Sequence, residues 1–180
     1  MPRDLVGDGQ KSGQFWAFDP DTGAVVWETQ VGPGSSLGGL EWGSSTDGNH
    51  IYVAEANNNR TPWTLLDGTT VTSGFWASLD AASGQILWET PDPTTPYKTG
   101  DTGPVSGANG VVYACSMDAQ GHMFAMDGAT GSILWSFASG GSCNAGAAIS
   151  NGMVFWGSGY SQFGGALGTP NNKFYAFQLP

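Results

Sequence analysis

Residues 19–27 read "DPDTGAVVW", and the same arrangement returns as "DAASGQILW" at 80–88 and "DGATGSILW" at 127–135. The turn glycines Gly23, Gly84 and Gly131 are 61 and 47 residues apart. Repeats of about this period mark propellers and arrays, in which each copy is one supersecondary unit. Within each copy the aspartate can accept bonds from nearby backbone amides, and the glycine supplies the positive φ that closes a short loop. The flanks are apolar, "QFWAF" and "AVVW" at the first copy and "HMFAM" and "SILW" at the third. Each copy is therefore expected to be a β-hairpin.

A second strand pair accompanies these hairpins. The stretches "GGLEWGSSTDGNHIYVAEA", "GPVSGANGVVYACSM" and "AGAAISNGMVFWGSG" each read as a strand, a tight Asx-Gly turn and a strand. Four antiparallel strands per unit make one propeller blade. The fold class expected is all-β, a partial propeller of about three and a half blades in one incomplete domain over 1–180. Its parts are a hairpin of a first blade at 13–30, blades at 37–90 and 102–138, and a three-stranded blade at 143–179. Helical periodicity appears nowhere. Trp27, Trp88 and Trp135 recur at one height on the outermost strands and are expected to dock between blades, near Ala17, Ser78 and Ala125. That role is structural.

Composition limits what such a chain can bind. Five basic residues against fifteen acidic ones leave a net charge of −10. Nothing forms a basic stripe, so nucleic acid is an unsuitable partner. No apolar run reaches the roughly 18 residues of a membrane-spanning helix. The opening "MPRDLVGDGQ" holds no signal-peptide stretch. Cys115 and Cys143 match no zinc or haem spacing; they either pair in an oxidising compartment or stay as small buried residues.

The loops divide by length. Links such as "TDGN", "ANG", "SNG" and "GATG" are minimal, whereas 57–73, 89–103 and 157–172 are long and varied. In a four-stranded blade these two sets fall at opposite ends, and binding residues concentrate on elaborated loops. Glu41 and Trp42 belong to an innermost strand beside the central channel, where a carboxylate needs a cation, a metal or water. Asn57, Asn58 and Asn59 suit a turn cap, and His50 and His122 suit strand ends.

The pattern Ala-x-Asp-x-x-Thr-Gly-x-x-x-Trp resembles the tryptophan-docking repeat of pyrroloquinoline quinone (PQQ) propellers. It fits at 17–27 and 125–135 and departs at 78–88, where Ser78 and Ser83 replace Ala and Thr. With "GQKSGQFWAFDPDTG", "GLEWGSSTD", "TGPVSGANGVVYA" and "VFWGSGYSQFGG", essentially the whole chain resembles the C-terminal part of the polyvinyl-alcohol-dehydrogenase-like quinoprotein family. That resemblance implies a longer propeller of roughly seven or eight blades. It also implies a secreted or periplasmic setting and oxidation of a small neutral alcohol or polyol by PQQ. By the same likeness Asp8 would be the catalytic base and Lys11 a cationic partner of the quinone, with Trp42 and Asn144 beside the cofactor. Calcium, if bound, would draw on Glu41 and Asn144, since hard cations take oxygen ligands. The Cys-x-x-Cys-His of haem-bearing relatives is absent from the sequence. The alternative is a binding or scaffold propeller that keeps the repeat without the cofactor. Either way, open strand edges would be filled by further blades of a parent chain or by self-association.

Overall fold

The computed structural model describes residues 4–40, 42–94, 103–162 and 167–178. Every element among them is a strand. The first sheet runs β1 (Val6–Gly9), β2 (Gln14–Phe18) and β3 (Val25–Gln30). The second contains β4 (Ser45–Thr46), β5 (His50–Glu55), β8 (Phe75–Asp80) and β9 (Ile86–Pro91), with a small hairpin of β6 (Trp63–Thr64) and β7 (Thr70–Val71) inserted between β5 and β8. The third runs β10 (Ser106–Ala108), β11 (Val111–Cys115), β12 (His122–Asp127) and β13 (Ile133–Ala138). The last has three strands, β14 (Ala148–Ser150), β15 (Met153–Gly157) and β16 (Phe174–Gln178). All pairings are antiparallel between sheet neighbours, the blade pattern of a partial β-propeller.

Two segments expected as loops contain strands. The first sheet lacks one strand rather than two, because β1 pairs with β2 through Val6–Phe18 and Asp8–Trp16. Its glycines concealed it from periodicity. They are required by close packing: a Cβ on Gly7 would lie 2.7 Å from the Phe15 ring, and one on Gly9 would lie 2.7 Å from Leu40. Asp8 therefore belongs to a strand, not to a loop. The second is the β6–β7 hairpin, whose Leu65 is buried in the core between the first two blades.

The repeated turn is built alike three times. Asp19 Oδ1 accepts from the amides of Asp21 and Thr22 and from the Thr22 hydroxyl. Asp80 and Asp127 do the same for Ser83 and Thr130. Gly23, Gly84 and Gly131 donate to the carbonyls of those aspartates at 2.8 Å, with φ of 71°, 74° and 72°. Each hairpin then carries one bulge, after Ala17, Ser78 and Ala125. The extra residue pushes Leu87 and Leu134 outward, which accounts for their exposure.

The tryptophans separate into two filled seats and one different contact. Trp27 Nε1 donates to the Ala81 carbonyl at 3.1 Å, and Trp88 Nε1 donates to the Gly128 carbonyl at 2.9 Å. Their rings lie where a Cβ on Gly84 or Gly131 would project. Two residues on, the Thr29 and Thr90 hydroxyls donate to the carbonyls of the same glycines at 2.7 and 2.8 Å. Ala17, Ser78 and Ala125 are the cross-strand partners of these tryptophans within their own blades, not surfaces of the neighbour. Trp135 departs from the expected burial and is 38% exposed. Phe137 stands where Thr29 and Thr90 stand, and an aromatic cluster of Trp135, Phe137, Tyr175 and Phe177 joins the last two blades. A disulfide between Cys115 and Cys143 reinforces that junction. Closing a loop across a sequence separation of 28 contributes about 3–4 kcal/mol in the chain-entropy account.

One further position repeats at every junction. It pairs the residue just beyond an outer strand with the residue at the end of the second strand of the next blade or one past it. Ser116 donates to Asp92 at 2.5 Å, and the Ser139 and Ser158 hydroxyls meet at 2.6 Å. At the first junction the corresponding residues are Val31 and Glu55. Glu55 is fully buried, and its Oε1 accepts the Asn57 amide at 3.3 Å. Its Oε2 has no partner among the described residues. Burial pushes this carboxyl up to about 8.

Two predictions follow from these junctions. Trp88→Ala should lower the unfolding free energy by about 3–5 kcal/mol, the usual loss for a buried aromatic, and Trp135→Ala by about 1 kcal/mol. Equal denaturation midpoints for the two variants would contradict the assignment of filled seats. For Glu55, both states are neutral below its ordinary value of 4.5. Between there and about 8 the unfolded chain ionises while the folded one keeps its proton, so stability falls as pH rises. Glu55→Gln should remove that loss, and its advantage over the parent should grow between pH 5 and 8. Parallel stability profiles would show that no proton is held there.

Candidate functional site

The strand ends place the short turns 19–24, 47–49, 81–85, 109–110, 128–132 and 151–152 together at one end. The longer links gather at the other end, and the candidate site is there. Loop 10–13 after β1 is fastened to the crossing segment 31–40: Leu40 N donates to the Gln10 carbonyl and Ser35 N to that of Lys11. Gly39 passes so near Lys11 and Gly13 that a Cβ would meet their backbone at 2.6–2.9 Å. This crossing brings the chain to Trp42, which lines a small open cleft beside it. Asp8, Phe15, Leu40, Trp42, Val53 and Gly103 are among its walls.

Asp8 and Trp42, which the sequence placed in separate arguments, thus share one cleft. Both are exposed, Trp42 at 48%. Phe15, Leu40 and Val53 give the cleft an apolar, buried floor. Register gives Asp8 added meaning. It pairs with Trp16, the neighbour of Ala17; the same steps lead to Val53 opposite Ala77 and to Ala114 opposite Phe124. Val53 and Ala114 are buried core residues. The first blade therefore carries a carboxylate where its sister blades carry hydrocarbon.

The other expected residues are distributed less tightly. Lys11 lies exposed on the loop directly after β1 and does not line the cleft. Asn144 is half-buried next to Cys143, and its Cα lies 3.5 Å from where a Cβ on Gly103 would project, behind the cleft wall. Glu41 lies outside the described residues. Among the described residues no group of three or more His, Cys, Asp or Glu side chains is placed to hold a metal ion.

The turn residues behave as expected. Asn57 has φ of 43° and caps its loop, accepting from Thr61 N and donating to the Thr61 and Ser73 carbonyls. His50 and His122 begin strands, and their Nδ1 atoms lie 2.9 Å from Asp47 and Asp118. Glu55 was missed, although its signal was present: Ile51, Val53 and Glu55 fall on one face of an alternating strand, and the third of them is a carboxylate.

Comparison with known proteins accords with this geometry. A repeat-family model described as outer membrane protein assembly factor BamB matches residues 73–165. The polyvinylalcohol dehydrogenase of Pseudomonas sp. is 32% identical over 205 aligned residues, covering 98% of this chain and 30% of the relative. The chain thus spans about a third of such a relative's length. Among solved structures, the quinohemoprotein alcohol dehydrogenase of Pseudomonas putida superposes with a TM-score of 0.66 at 15% identity, covering 86% of this chain and 27% of that one. BamB of Moraxella catarrhalis superposes at 0.57 and 17% identity, covering 86% and 39%. These two likenesses concern the fold. With over half its residues inside the family match and two tryptophan seats filled alike, the chain belongs to the PQQ-repeat family of β-propellers.

Proposed function

We propose that this chain forms one wall of the cofactor pocket in a PQQ-dependent dehydrogenase oxidising a neutral secondary alcohol or polyol. The observation that carries the reading is the meeting of Asp8 and Trp42 in one cleft at the elaborated end, with Asp8 in a position that is core elsewhere. A flat quinone carrying carboxylates asks for an aromatic plane, a dry floor and cations. Trp42 offers the plane and Phe15, Leu40 and Val53 the floor, while Lys11 stands on the adjoining loop. The residues fit one side of the group.

When bound, the quinone supplies an electrophilic carbon that accepts hydride. Asp8 takes the hydroxyl proton of the alcohol onto a carboxylate oxygen, as a positioned general base. Lys11 offsets negative charge at the cofactor, and the apolar floor keeps water from the reacting atoms. Calcium, where used, would draw on Asn144 and Glu41. Among the described residues the cleft is lined by one acid and no base, which suits a neutral substrate. The Cys115–Cys143 bond accords with an oxidising, secreted or periplasmic setting.

A non-catalytic scaffold is the second reading, favoured by the description of the matched family model. Titration of the full-length protein with PQQ and calcium separates the two. In the catalytic reading Asp8→Asn lowers kcat by about 10²–10⁴-fold with little change in cofactor affinity. Trp42→Ala and Lys11→Ala weaken PQQ binding by about tenfold each, some 1.4 kcal/mol. Absence of PQQ binding by the parent protein would favour the scaffold.

A further inference from the structure

Segment 31–40, which carries the chain from β3 toward Trp42, rests on the buried carboxyl of Glu55. A Cβ built on Gly32 would stand 2.4 Å from Glu55 Cγ and 2.8 Å from Oε2, the oxygen without a partner among the described residues. The residues after Glu55 hold the same segment. Ala56 N donates to the Gly39 carbonyl at 3.1 Å, Asn58 Nδ2 to Ser35 Oγ at 3.4 Å, and Ser36 Oγ to Asn59 Oδ1 at 3.5 Å. Leu40 at the end of the segment and Val53, two residues before Glu55, both belong to the cleft floor.

The surroundings of Glu55 are hydrocarbon and backbone. The first sheet turns Phe15, Trp27 and Val31 toward this junction, and β8 sets Phe75 opposite Glu55. Asp8 and Glu28 share a row on the other face of that first sheet. Glu89, on the junction face of β9, accepts the Leu66 amide at 2.6 Å, and burial raises its carboxyl as well. Lys11 on loop 10–13, Arg60 after β5 and Asp67 between β6 and β7 are exposed. Burial is what raises Glu55 to about 8, and the Asn57 amide opposes it.

We propose that Glu55 is a proton-sensitive latch on the cleft: protonated, it seats segment 31–40 and with it Leu40 and Trp42; ionised, it lifts them. An ionised carboxylate needs solvent, and the seated backbone at Gly32 occupies the approach to Oε2. Water reaches that oxygen once the segment rises, and the bonds from Ala56, Asn58 and Ser36 that oppose the movement are long ones. The ordered cleft is therefore the low-pH form. Its bearing on alcohol oxidation rests on the function proposed above, whereas the latch itself belongs to the protein without cofactor.

The test is an NMR titration of the cofactor-free protein from about pH 5 to 10. It follows the Leu40 methyl signals and the fluorine signal of Trp42 in protein labelled with 5-fluorotryptophan, assigned by its loss in Trp42→Phe. A neutral gadolinium chelate reports solvent access to Leu40, which is 5% exposed in the seated form. The expected result is one transition with a midpoint near 8, shared by Leu40 and Trp42, above which the chelate broadens the Leu40 methyls several-fold more. Val112 in the third blade should not move. Glu55→Gln and Glu55→Met should each abolish the transition, and Glu89→Gln should keep it. Shifts confined to Gly32 and Asn57 would mean that Glu55 ionises in place and would overturn the latch. So would a transition that survives either Glu55 variant, that Glu89→Gln removes, or that Val112 shares. Should neither Glu55 variant fold, the joint movement and broadening in the parent and in Glu89→Gln decide. With no quinone present, a failed latch leaves the cofactor reading standing, and failure to bind PQQ leaves the latch standing.

Discussion

An indole lying over the turn glycine of the next blade is the contact on which the rest of this molecule depends. It needs a side chain large enough to span two sheets and a neighbour with no side chain at all. A Cβ on Gly84 or Gly131 would stand 2.5–2.6 Å from indole or threonine atoms of the preceding blade. The indole N–H and the threonine hydroxyl then bond two carbonyls that the tight turn leaves pointing outward. Buried polar groups are satisfied in the same step that buries the ring, so the seat fixes height and tilt together.

The junctions solve one packing problem in different ways. The first two use the indole and threonine, and the third replaces the threonine with Phe137, an aromatic cluster and a disulfide. Their second contact, at the strand end, varies too. An Asp–Ser bond and a Ser–Ser bond close two junctions, whereas the first has Val31 and Glu55 at these positions, and Glu55 keeps a carboxyl oxygen without a partner among the described residues. A buried acid of this kind is tolerated by staying neutral, which ties the first junction to pH. That junction also borders the candidate cleft, since Phe15, Leu40 and Val53 belong to both.

The candidate site grows from the same scaffold. Loop 10–13 and segment 31–40 are held by backbone bonds and by glycines packed too closely for side chains, so Trp42 is delivered by a constrained path. Asp8 owes its place to strand register. An odd shift of one residue would turn it to the opposite face, toward the second blade. Asp8 is thus carried by a strand, whereas Trp42 is carried by a connecting segment fastened through backbone bonds.

Much of this was legible in the sequence, and the limits have physical causes. The Asp-x-x-Thr/Ser-Gly-x-x-x-Trp copies determined hairpins and blade order, and two of the three seats expected from them, because turn chemistry and a period of two are local properties. Asp8 and Trp42 could be named, but their meeting depends on two segments 34 residues apart folding against each other, which no local pattern encodes. Strand β1 was hidden because its glycines answer to Phe15 and Leu40 rather than to their own neighbours. The pairing of Cys115 with Cys143, the exposure of Trp135 and the burial of Glu55 were decided by tertiary structure alone. Each is a question of what stands on the far side of a side chain, and in a propeller the far side belongs to the next blade.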